Sequence, residues 1–388
     1  MVEKMNKEEE KITIGALGLA SVFVGTLIGP GFASGQEILQ FFANYGSKGL
    51  MGVMVNAVLT FLLAVMAMTC ARRMNTPYFD RVMSPGNNKI FRIFANVVTL
   101  FFLFGMMAIM FAAGGSLLNQ QFEIPVIVGA IVMAVITLLT VVWGTQGFTN
   151  VLSLVVPVMV VVALVICIVV VINPQVSDEV ALPKSTGSGL MGNWFLASML
   201  YCSYNMLSAI AILVPLGQKS KNEKCIWLSS ILSVVILGVL LALCSTAIMK
   251  NYPLVKDAAM PTLELAGGLS PVAGLAYAAV SFMAIFSTST SLLYAIGERL
   301  EVLDYSKLGF IRNKSVVLFL ITVAAFCSSY VGFTNLVSWL YPITGYLGFV
   351  IFAAVIYNYF LVVKRVEPGM QLNLSDVTVA TELRSSEN

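Results

Sequence analysis

Four glycines and a proline interrupt the first long hydrophobic segment of this chain. The segment runs from about residue 12 to residue 43, and residues 25–37 within it read Gly-Thr-Leu-Ile-Gly-Pro-Gly-Phe-Ala-Ser-Gly-Gln-Glu. Glycine weakens a helix and proline removes a backbone donor, so we expect the helix to open around Gly29–Gly31. Opened backbone at membrane depth is tolerated only where protein or a wet cavity surrounds it. The stretch therefore favours a broken helix that lines a solute site over a helix that is kinked for close packing.

The composition predicts that nearly all of the chain lies in a lipid bilayer. Of its 388 residues, 59% are hydrophobic and 11% are charged, whereas about a quarter of the residues in a soluble domain are charged. The chain has no histidine, and its six cysteines form no CxxC pair, so neither a zinc site nor a disulfide framework is indicated. No basic stripe suggests nucleic-acid binding, and no cleavable signal peptide is evident. The sequence is silent on oligomeric state and indicates no organic cofactor.

Ten segments are long and apolar enough to span a bilayer, since a span needs about 20 such residues. They divide into two groups of five, which we interpret as a first repeat (12–172) and a second repeat (190–363), joined by an extracellular loop at 173–189. Residues 1–11 and 364–388 are predicted to be a cytoplasmic N-terminal segment and a disordered cytoplasmic tail. The predicted spans lie near residues 12–43, 47–71, 90–118, 124–144, 149–172, 190–216, 224–249, 270–297, 314–332 and 339–363.

The distribution of positive charge predicts that both termini lie in the cytoplasm. In that orientation, 18 of the 22 lysines and arginines fall in cytoplasmic segments, and only four fall in loops on the other side. Cytoplasmic loops of membrane proteins carry this excess of Lys and Arg. Removing or adding one span in the middle of the chain would destroy the bias, which supports ten spans.

A second interruption is predicted in the sixth span, at residues 201–205, which read Tyr-Cys-Ser-Tyr-Asn. The first span enters from the cytoplasm and the sixth from outside, so the two halves have opposite topology. Interruptions at corresponding positions of two such halves point to a transporter site. Because residues 201–205 contain neither glycine nor proline, an intact helix with a polar packing face is the alternative.

The residues at these interruptions resemble those of the bacterial YkvI-like membrane proteins, amino-acid permeases of the amino acid–polyamine–organocation superfamily. Residues 25–38 resemble the first-helix signature of that family, residues 201–205 its sixth helix, and residues 286–288 with 295–298 its eighth. The resemblance implies an all-α integral membrane protein of the bacterial cell membrane, with the five-plus-five inverted repeat of the LeuT fold and with helices 1 and 6 broken. Pro30 departs from the family pattern, in which a small residue is usual, and this leaves the substrate open.

A zwitterionic substrate needs donors for its carboxylate and acceptors for its ammonium group. The broken first helix offers backbone N–H groups at the positive end of its outer half, and freed carbonyls on the other side of the break. The third span would supply apolar walls, although most of its Phe and Met residues are expected to serve packing. The predicted substrate contacts are Thr26, Gly29, Gly31, Phe32, Ala33, Phe104, Met107, Tyr201, Tyr204 and Asn205.

Five consecutive hydroxyl residues, 287–291, lie in the eighth span. Hard cations prefer oxygen ligands such as carbonyls and hydroxyls. The resemblance to sodium-coupled members of the fold implies that Ser287 and Thr288 bind a sodium ion together with the carbonyls of three further residues. Those residues are Gly25, Ile28 and Ala284. Hydrogen bonding between helices is the alternative role for this cluster of hydroxyls.

Glu37 is the only acidic residue well inside a predicted span. An ionisable group within a span is a functional candidate, so Glu37 is a candidate proton carrier. A structural or gating role near the outer end of the first span is the alternative, and we favour it.

Together these features predict a secondary active transporter of a small zwitterionic solute, an amino acid, that works by alternating access and is coupled to sodium. The alternatives are a proton-coupled symporter that uses Glu37 and a facilitator or channel-like protein. No rings of charged residues suggest a continuous pore. An enzyme is not expected, because the spans offer one glutamate and no constellation of catalytic residues.

Overall fold

The computed structural model describes residues 13–84, 88–143, 149–176, 189–301 and 314–365, and these are helical apart from short connections and an isolated bridge between Ile14 and Ser220. The N-terminal segment 1–11, most of the loop 173–189 and nearly all of the tail 364–388 lie outside the described residues. The expectations for those three segments therefore stay predictions.

The first predicted span consists of three short helices rather than one. These are α1 (Ala16–Leu27), α2 (Pro30–Ser34) and α3 (Gln36–Phe41), followed by a 3₁₀ turn at Ala43–Tyr45. Ile28 and Gly29, between α1 and α2, are extended, with φ and ψ of −90° and 97° at Ile28 and −110° and −179° at Gly29. The predicted break is thus confirmed.

A second interruption, which was not predicted from the sequence, separates α2 from α3. Gly35 has a φ of +77°, a left-handed conformation that glycine adopts without the steric cost that other residues meet. Its N–H donates to the Phe32 carbonyl over 3.1 Å. The first span therefore has a break at Gly29 and an elbow at Gly35.

The remaining predicted spans each coincide with a helix. Among the described residues, seven helices are long and apolar enough to cross a membrane, and three shorter apolar stretches, residues 16–27, 157–172 and 314–329, lie where the first, fifth and ninth spans are predicted. The chain is a multi-pass membrane protein, whereas its division into two repeats stays a prediction. The helices that follow the first span are α4 (Ser47–Arg73), α5 (Phe79–Met83), α6 (Lys89–Phe122), α7 (Val126–Trp143), α8 (Thr149–Ile172), α9 (Trp194–Gln218), α10 (Glu223–Lys250), α11 (Tyr252–Val255), α12 (Pro261–Leu269), α13 (Pro271–Glu301), α14 (Lys314–Ser329) and α15 (Phe333–Arg365).

Helix α9 is continuous through residues 201–205, so the prediction that the sixth helix is broken is wrong. Two polar side chains in this region bond to the helix itself: the Asn205 amide donates to the Tyr201 carbonyl over 3.0 Å, and the Ser208 hydroxyl donates to the Asn205 carbonyl over 2.7 Å. No residue of this stretch lacks an N–H, and none is glycine. The ladder of backbone hydrogen bonds therefore has no local reason to open.

Backbone atoms of two neighbouring helices, α4 and α15, also lie very close to the backbone of α9. A Cβ atom at Gly217 would lie 2.6 Å from the Met68 Cα of α4, and one at Gly345 of α15 would lie 3.0 Å from the Leu200 carbonyl oxygen. The Ser203 hydroxyl donates to the Gly345 carbonyl over 2.7 Å. Helix α9 is thus clamped on two sides by close backbone packing.

Basic residues from two separate segments gather at one end of the helices, where the start of the first span joins them. Arg72 donates to the Ser220 carbonyl, Arg73 forms an ion pair of 2.7 Å with Glu223, and the Ile14 N–H donates to the Lys219 carbonyl over 2.9 Å. We call this the basic end. The positive-inside distribution predicts that all of these residues lie on the same side of the membrane.

The opposite end is covered by α11 and α12, which we call the cap. Two glutamines hold it: the Gln120 amide nitrogen donates to the Glu264 carboxylate over 2.8 Å, and the Gln175 amide nitrogen donates to the Leu265 carbonyl over 2.8 Å. The cap also lies on the elbow of the first span, because a Cβ at Gly35 would come within 3.0 Å of the Thr262 nitrogen. The cap and the first span are therefore in direct contact.

Candidate functional site

The break between α1 and α2 leaves backbone groups without partners. Among the described residues, no backbone hydrogen bond is made by the N–H groups of Gly29, Gly31 and Phe32, or to the carbonyls of residues 25–28. The Ala33 N–H, one residue further on, donates to the Gly29 carbonyl over 3.1 Å. Unpaired backbone groups at membrane depth are costly unless a cavity or a ligand satisfies them.

A cavity lies beside this break. Its volume is about 380 Å³, the opening included, and it touches residues on both sides of the break, Leu27 and Phe32. Open and interstitial space makes up most of this figure: the room for water-sized molecules is about 20 Å³, enough for about one water molecule, so a larger solute would have to widen the cavity. The remaining lining residues come from α4 (Asn56, Ala57, Thr60), from α9 (Tyr201, Asn205) and from α10 (Val234, Leu237, Gly238, Leu241).

The polar side of the cavity is formed by neutral side chains of α4 and α9. Asn56 and Thr60 are 6% and 5% exposed, and the Thr60 hydroxyl lies 3.4 Å from both the Asn56 Oδ1 and the Cys202 Sγ. Neither the Asn56 Nδ2 nor the Asn205 Oδ1 has a hydrogen-bond partner in the part of the chain that the structure describes. The cavity therefore presents a donor and an acceptor that the protein itself does not use.

Glu37 lies across the start of α2 and not at the outer end of the first span. Its side chain is packed on Gly31 so closely that a Cβ there would overlap the carboxylate. The Tyr204 hydroxyl donates to the Glu37 Oε2 over 2.7 Å, and the residue is 6% exposed. No ion pair to Glu37 is formed within the described ranges. A carboxyl group thus lies buried at the break with a hydroxyl donor and no cationic partner.

Aromatic rings surround this carboxyl group and separate it from the cavity. The Tyr341 ring of α15 stacks on Tyr204 with centroids 4.4 Å apart, and its buried hydroxyl faces Glu37 without forming a hydrogen bond of normal geometry. Tyr201 contacts Tyr204 edge to face at 5.4 Å and also lines the cavity. Three tyrosines in contact, Tyr341, Tyr204 and Tyr201, therefore link the surroundings of Glu37 to the cavity.

The predicted substrate contacts do not all meet at the cavity. Phe32, Tyr201 and Asn205 line it, whereas Met107 is buried in the core and Phe104 packs against that core from α6. The other predicted contacts lie near the break but engage other groups. Gly31 lies under the Glu37 carboxyl, and Tyr204 donates to that carboxyl. The Ala33 carbonyl accepts from the Tyr277 hydroxyl, and the Thr26 hydroxyl donates to the Val22 carbonyl. Gly29 has open space at its Cα.

The predicted sodium ligands lie on α1, at Ile28 in the break, and on α13. Of the five consecutive hydroxyl residues on α13, three were not predicted as ligands: Ser289 is paired with Thr137 of α7 over 3.0 Å, and Thr290 and Ser291 donate to carbonyls of their own helix. The hydroxyls of Ser287 and Thr288 are half-buried and have no partner among the described residues. Ala284 is buried, and the carbonyls of Gly25 and Ile28 accept no backbone hydrogen bond.

Sequence reasoning missed Asn56 and Thr60, which form the polar wall on α4. A signal was present, because two polar residues spaced by four lie on one face of an otherwise apolar helix. That pattern also fits packing between helices, and only the position of α4 beside the break distinguishes the two.

No family model matches the chain. Two proteins of Bacillus subtilis (strain 168) are similar to it over most of their length. One is named "Uncharacterized membrane protein YkvI" and is 25% identical over 348 residues, which are 87% of this chain and 94% of that protein. The other is named "Uncharacterized protein YyaD" and is 26% identical over 330 residues, which are 84% of this chain and 91% of that protein. The YkvI resemblance is thus supported, while membership in an amino-acid permease family stays a prediction.

Solved transporter structures share the fold. The inward-facing conformation of Mhp1 matches with a TM-score of 0.64 at 14% identity, covering 94% of this chain and 80% of that one. MhsT in complex with L-phenylalanine matches with a TM-score of 0.59 at 15% identity, covering 86% of this chain and 87% of that one. The chain therefore has the all-α fold of LeuT type that the sequence predicts.

Proposed function

We propose that this protein is a secondary active transporter of a small zwitterionic solute, an amino acid, and that it works by alternating access. The observation that carries the proposal is the opened backbone at Ile28–Gly29 with a cavity directly beside it. Discontinuous helices of this kind form solute and ion sites in secondary transporters. The solved proteins of the same fold, one of them with L-phenylalanine bound, support the same class of function.

The opened backbone offers both kinds of group that a zwitterion needs. Carbonyls on the α1 side can accept from an ammonium group, and the N–H groups of Gly29 and Phe32 can donate to a carboxylate. The Gly31 N–H is less suitable, since the Glu37 carboxyl already packs on that residue. The substrate is therefore expected to approach the break from the cavity side, past Phe32.

Sodium is the coupling ion that we favour. The unpaired carbonyls of Gly25 and Ile28 are neutral oxygen ligands, and the unpartnered hydroxyls of Ser287 and Thr288 on α13 are of the same chemical kind. Together with the Ala284 carbonyl they would form a site for a hard cation without burying a fixed negative charge. Ser289, Thr290 and Ser291 lie outside the proposed set; their hydroxyls form hydrogen bonds with Thr137 or with carbonyls of α13.

Proton coupling through Glu37 is the second candidate. It is supported by the burial of that carboxyl group at the break, with the Tyr204 hydroxyl at 2.7 Å and no ion pair among the described residues. A buried carboxyl without a cationic partner is easier to hold in its neutral form. Loading and release of a proton there would change the charge beside Gly31 during each cycle.

Uptake into proteoliposomes tests the function and separates the two coupling ions. We expect saturable uptake of a labelled neutral amino acid that is driven by an inward sodium gradient and lost in Thr288→Val. Thr290→Val is the matched control, because it changes the same side chain two positions along the same helix. If a proton gradient alone drives uptake and Glu37→Gln abolishes it while Thr288→Val does not, coupling is to protons. Uptake that rises linearly with solute concentration, without dependence on either gradient, would reject a coupled carrier.

A further inference from the structure

The cavity beside the break is enclosed by α4 and α10 in addition to the first span and α9. None of its described lining residues comes from α6 or α13, the helices that carry Phe104, Met107, Ser287 and Thr288. Within the described ranges, the space at the break thus lies to one side of the position that the sequence predicts for the substrate.

The lining carries no charged residue among those that the structure describes. Its polar groups are two carboxamides and two hydroxyls, those of Asn56, Asn205, Thr60 and Tyr201. A substrate with a net charge would leave that charge uncompensated in a low-dielectric setting, which is costly. A net-neutral solute meets only groups that can donate and accept hydrogen bonds.

The two faces of the cavity differ in polarity. The α4 and α9 face carries the carboxamides, whereas the α10 face is formed by Val234, Leu237, Gly238 and Leu241. Asn56 is 6% exposed, and its Nδ2 donor is unused within the described residues. That donor is not fully buried, so a solute or a water molecule in the cavity can satisfy it.

Gly238 has no side chain and so leaves room in the apolar half of the cavity. A Cβ added there would meet only the Ala57 Cβ, at 4.0 Å, so alanine fits at this position without a clash. Because both Gly238 and Ala57 line the cavity, a methyl group there would narrow it between α10 and α4.

We propose that this cavity is the substrate site and that it takes a small amino acid of zero net charge. The polar groups of the solute would bind Asn56, Thr60 and Asn205, and its apolar side chain would lie against α10 opposite Gly238. This inference rests on the proposed transport function and deepens it. Asn56 and Thr60 become specificity-determining residues, and the space beside Gly238 determines how large the side chain of the solute can be.

Thermal stability of the purified full-length protein tests the site, with glycine, L-alanine, L-leucine, L-lysine and L-glutamate as probes. A ligand raises the melting temperature in proportion to the logarithm of its concentration over Kd. We expect the neutral probes to stabilise the protein and the two charged probes to have no effect. Thr60→Val and Asn56→Leu should each weaken the apparent affinity for the neutral probes roughly tenfold, as expected for one lost hydrogen bond.

Thr69→Val is the matched control for Thr60→Val, because Thr69 is buried on the same helix, has no hydrogen-bond partner among the described residues and does not line the cavity. It should bind the neutral probes like the unmodified protein. Gly238→Ala guards against variants that fail to fold, since alanine in place of glycine favours a helix. We expect it to raise the melting temperature without ligand and to weaken L-leucine binding more than glycine binding.

The outcomes separate the site from the function. Unchanged affinities in Thr60→Val, Asn56→Leu and Gly238→Ala, with uptake intact, would place the substrate elsewhere and leave the transporter proposal standing. Stabilisation by L-lysine or L-glutamate in preference to the neutral probes would overturn the assignment of a net-neutral substrate. If no probe stabilises the protein and none is taken up in proteoliposomes, the function fails and the site fails with it.

Discussion

The first span and helix α9 were both expected to break at mid-membrane, and only the first span does. In the first span, a Cβ added at Gly25 or Gly29 would have no atom within 4 Å, so the backbone there borders open space. In α9, the backbone lies against Met68 on one side and is met by Gly345 on the other. Polar residues alone do not open a helix; missing donors and free space beside the backbone do.

The two elements therefore have different roles. The first span has unpaired backbone groups and carries Glu37 across its break, so it is the part that can respond to a solute. Helix α9 presents side chains, Tyr201, Tyr204 and Asn205, from a rigid scaffold. The cavity is therefore bordered on one side by the interrupted backbone of the first span and on the other side by the continuous helix α9.

The largest effect is expected where α9 is clamped. Gly217→Ala would place a Cβ 2.6 Å from the Met68 Cα, and backbone cannot move aside as a side chain can. We expect a loss of about 3 kcal/mol in stability, the upper end for overpacking, seen as a lower melting temperature in detergent. Gly25→Ala, which meets no neighbour, is the control. Equal melting temperatures for the two variants would show that the clamp on α9 is not tight.

A smaller loss is expected at the break itself. Gly31→Ala would overlap the Glu37 carboxylate, which can move but would then lose its hydrogen bond with Tyr204. We expect a cost of about 2 kcal/mol, the penalty for a buried polar group that loses its partner. The double variant Gly31→Ala, Glu37→Ala should recover part of this loss, because the overlap is gone. A double-mutant cycle on thermal stability measures the coupling, and strict additivity would argue against the contact.

Tyr204→Phe tests the hydrogen bond that α9 donates to Glu37 of the first span. It removes only the hydroxyl that donates to Glu37 and keeps the ring stacked on Tyr341. We expect a loss of about 1 kcal/mol, typical of a single net hydrogen bond. Tyr346→Phe is a useful reference, because Tyr346 donates to the Leu190 carbonyl at an exposed position. If the two variants lose the same amount of stability, the buried hydrogen bond to Glu37 stabilises the protein no more than the exposed hydrogen bond of Tyr346 does.

The smallest effect on stability is expected at Gly29. Its φ of −110° is open to any residue, and a Cβ there meets no atom within 4 Å. Gly29→Ala should therefore change stability by less than about 0.5 kcal/mol. Uptake in proteoliposomes should nonetheless fall, since the methyl group would occupy space beside the unpaired backbone. Normal uptake in a normally stable Gly29→Ala protein would mean that the substrate does not approach this residue.

Much of the fold could be predicted from the sequence, because bilayer thickness and hydropathy restrict the alternatives. Each predicted span after the first coincides with a helix, and the break at Gly29 in the first span follows from glycine and proline chemistry alone. The elbow at Gly35 was missed; the residue that lies against it, Thr262 of the cap, is far away in the sequence. The continuity of α9 was also missed: residues 201–205 contain no glycine or proline, and the close packing of Gly217 on Met68 and of Gly345 on Leu200 is a tertiary effect.

The candidate site was predicted less completely than the fold. Phe32, Tyr201 and Asn205 were named from the sequence and line the cavity, whereas Asn56 and Thr60 were not named. Two polar residues in an apolar helix have the same pattern whether they pack or bind. The position of Glu37 over Gly31 was also beyond sequence reasoning, because it depends on the elbow that turns α3 back toward the break.

The cap has a kinetic consequence for a carrier that works by alternating access. It rests on the elbow at Gly35 and is tied by Gln120 and Gln175 to helix α6 and to the segment after α8. In the proposed transport cycle, exposing the break to that side of the bilayer would require these ties to come apart and form again in every turnover. The hydrogen bonds of the two glutamines would then set the lifetime of the state in which the cap is closed. Weaker bonds would shorten that lifetime, and stronger bonds would lengthen it.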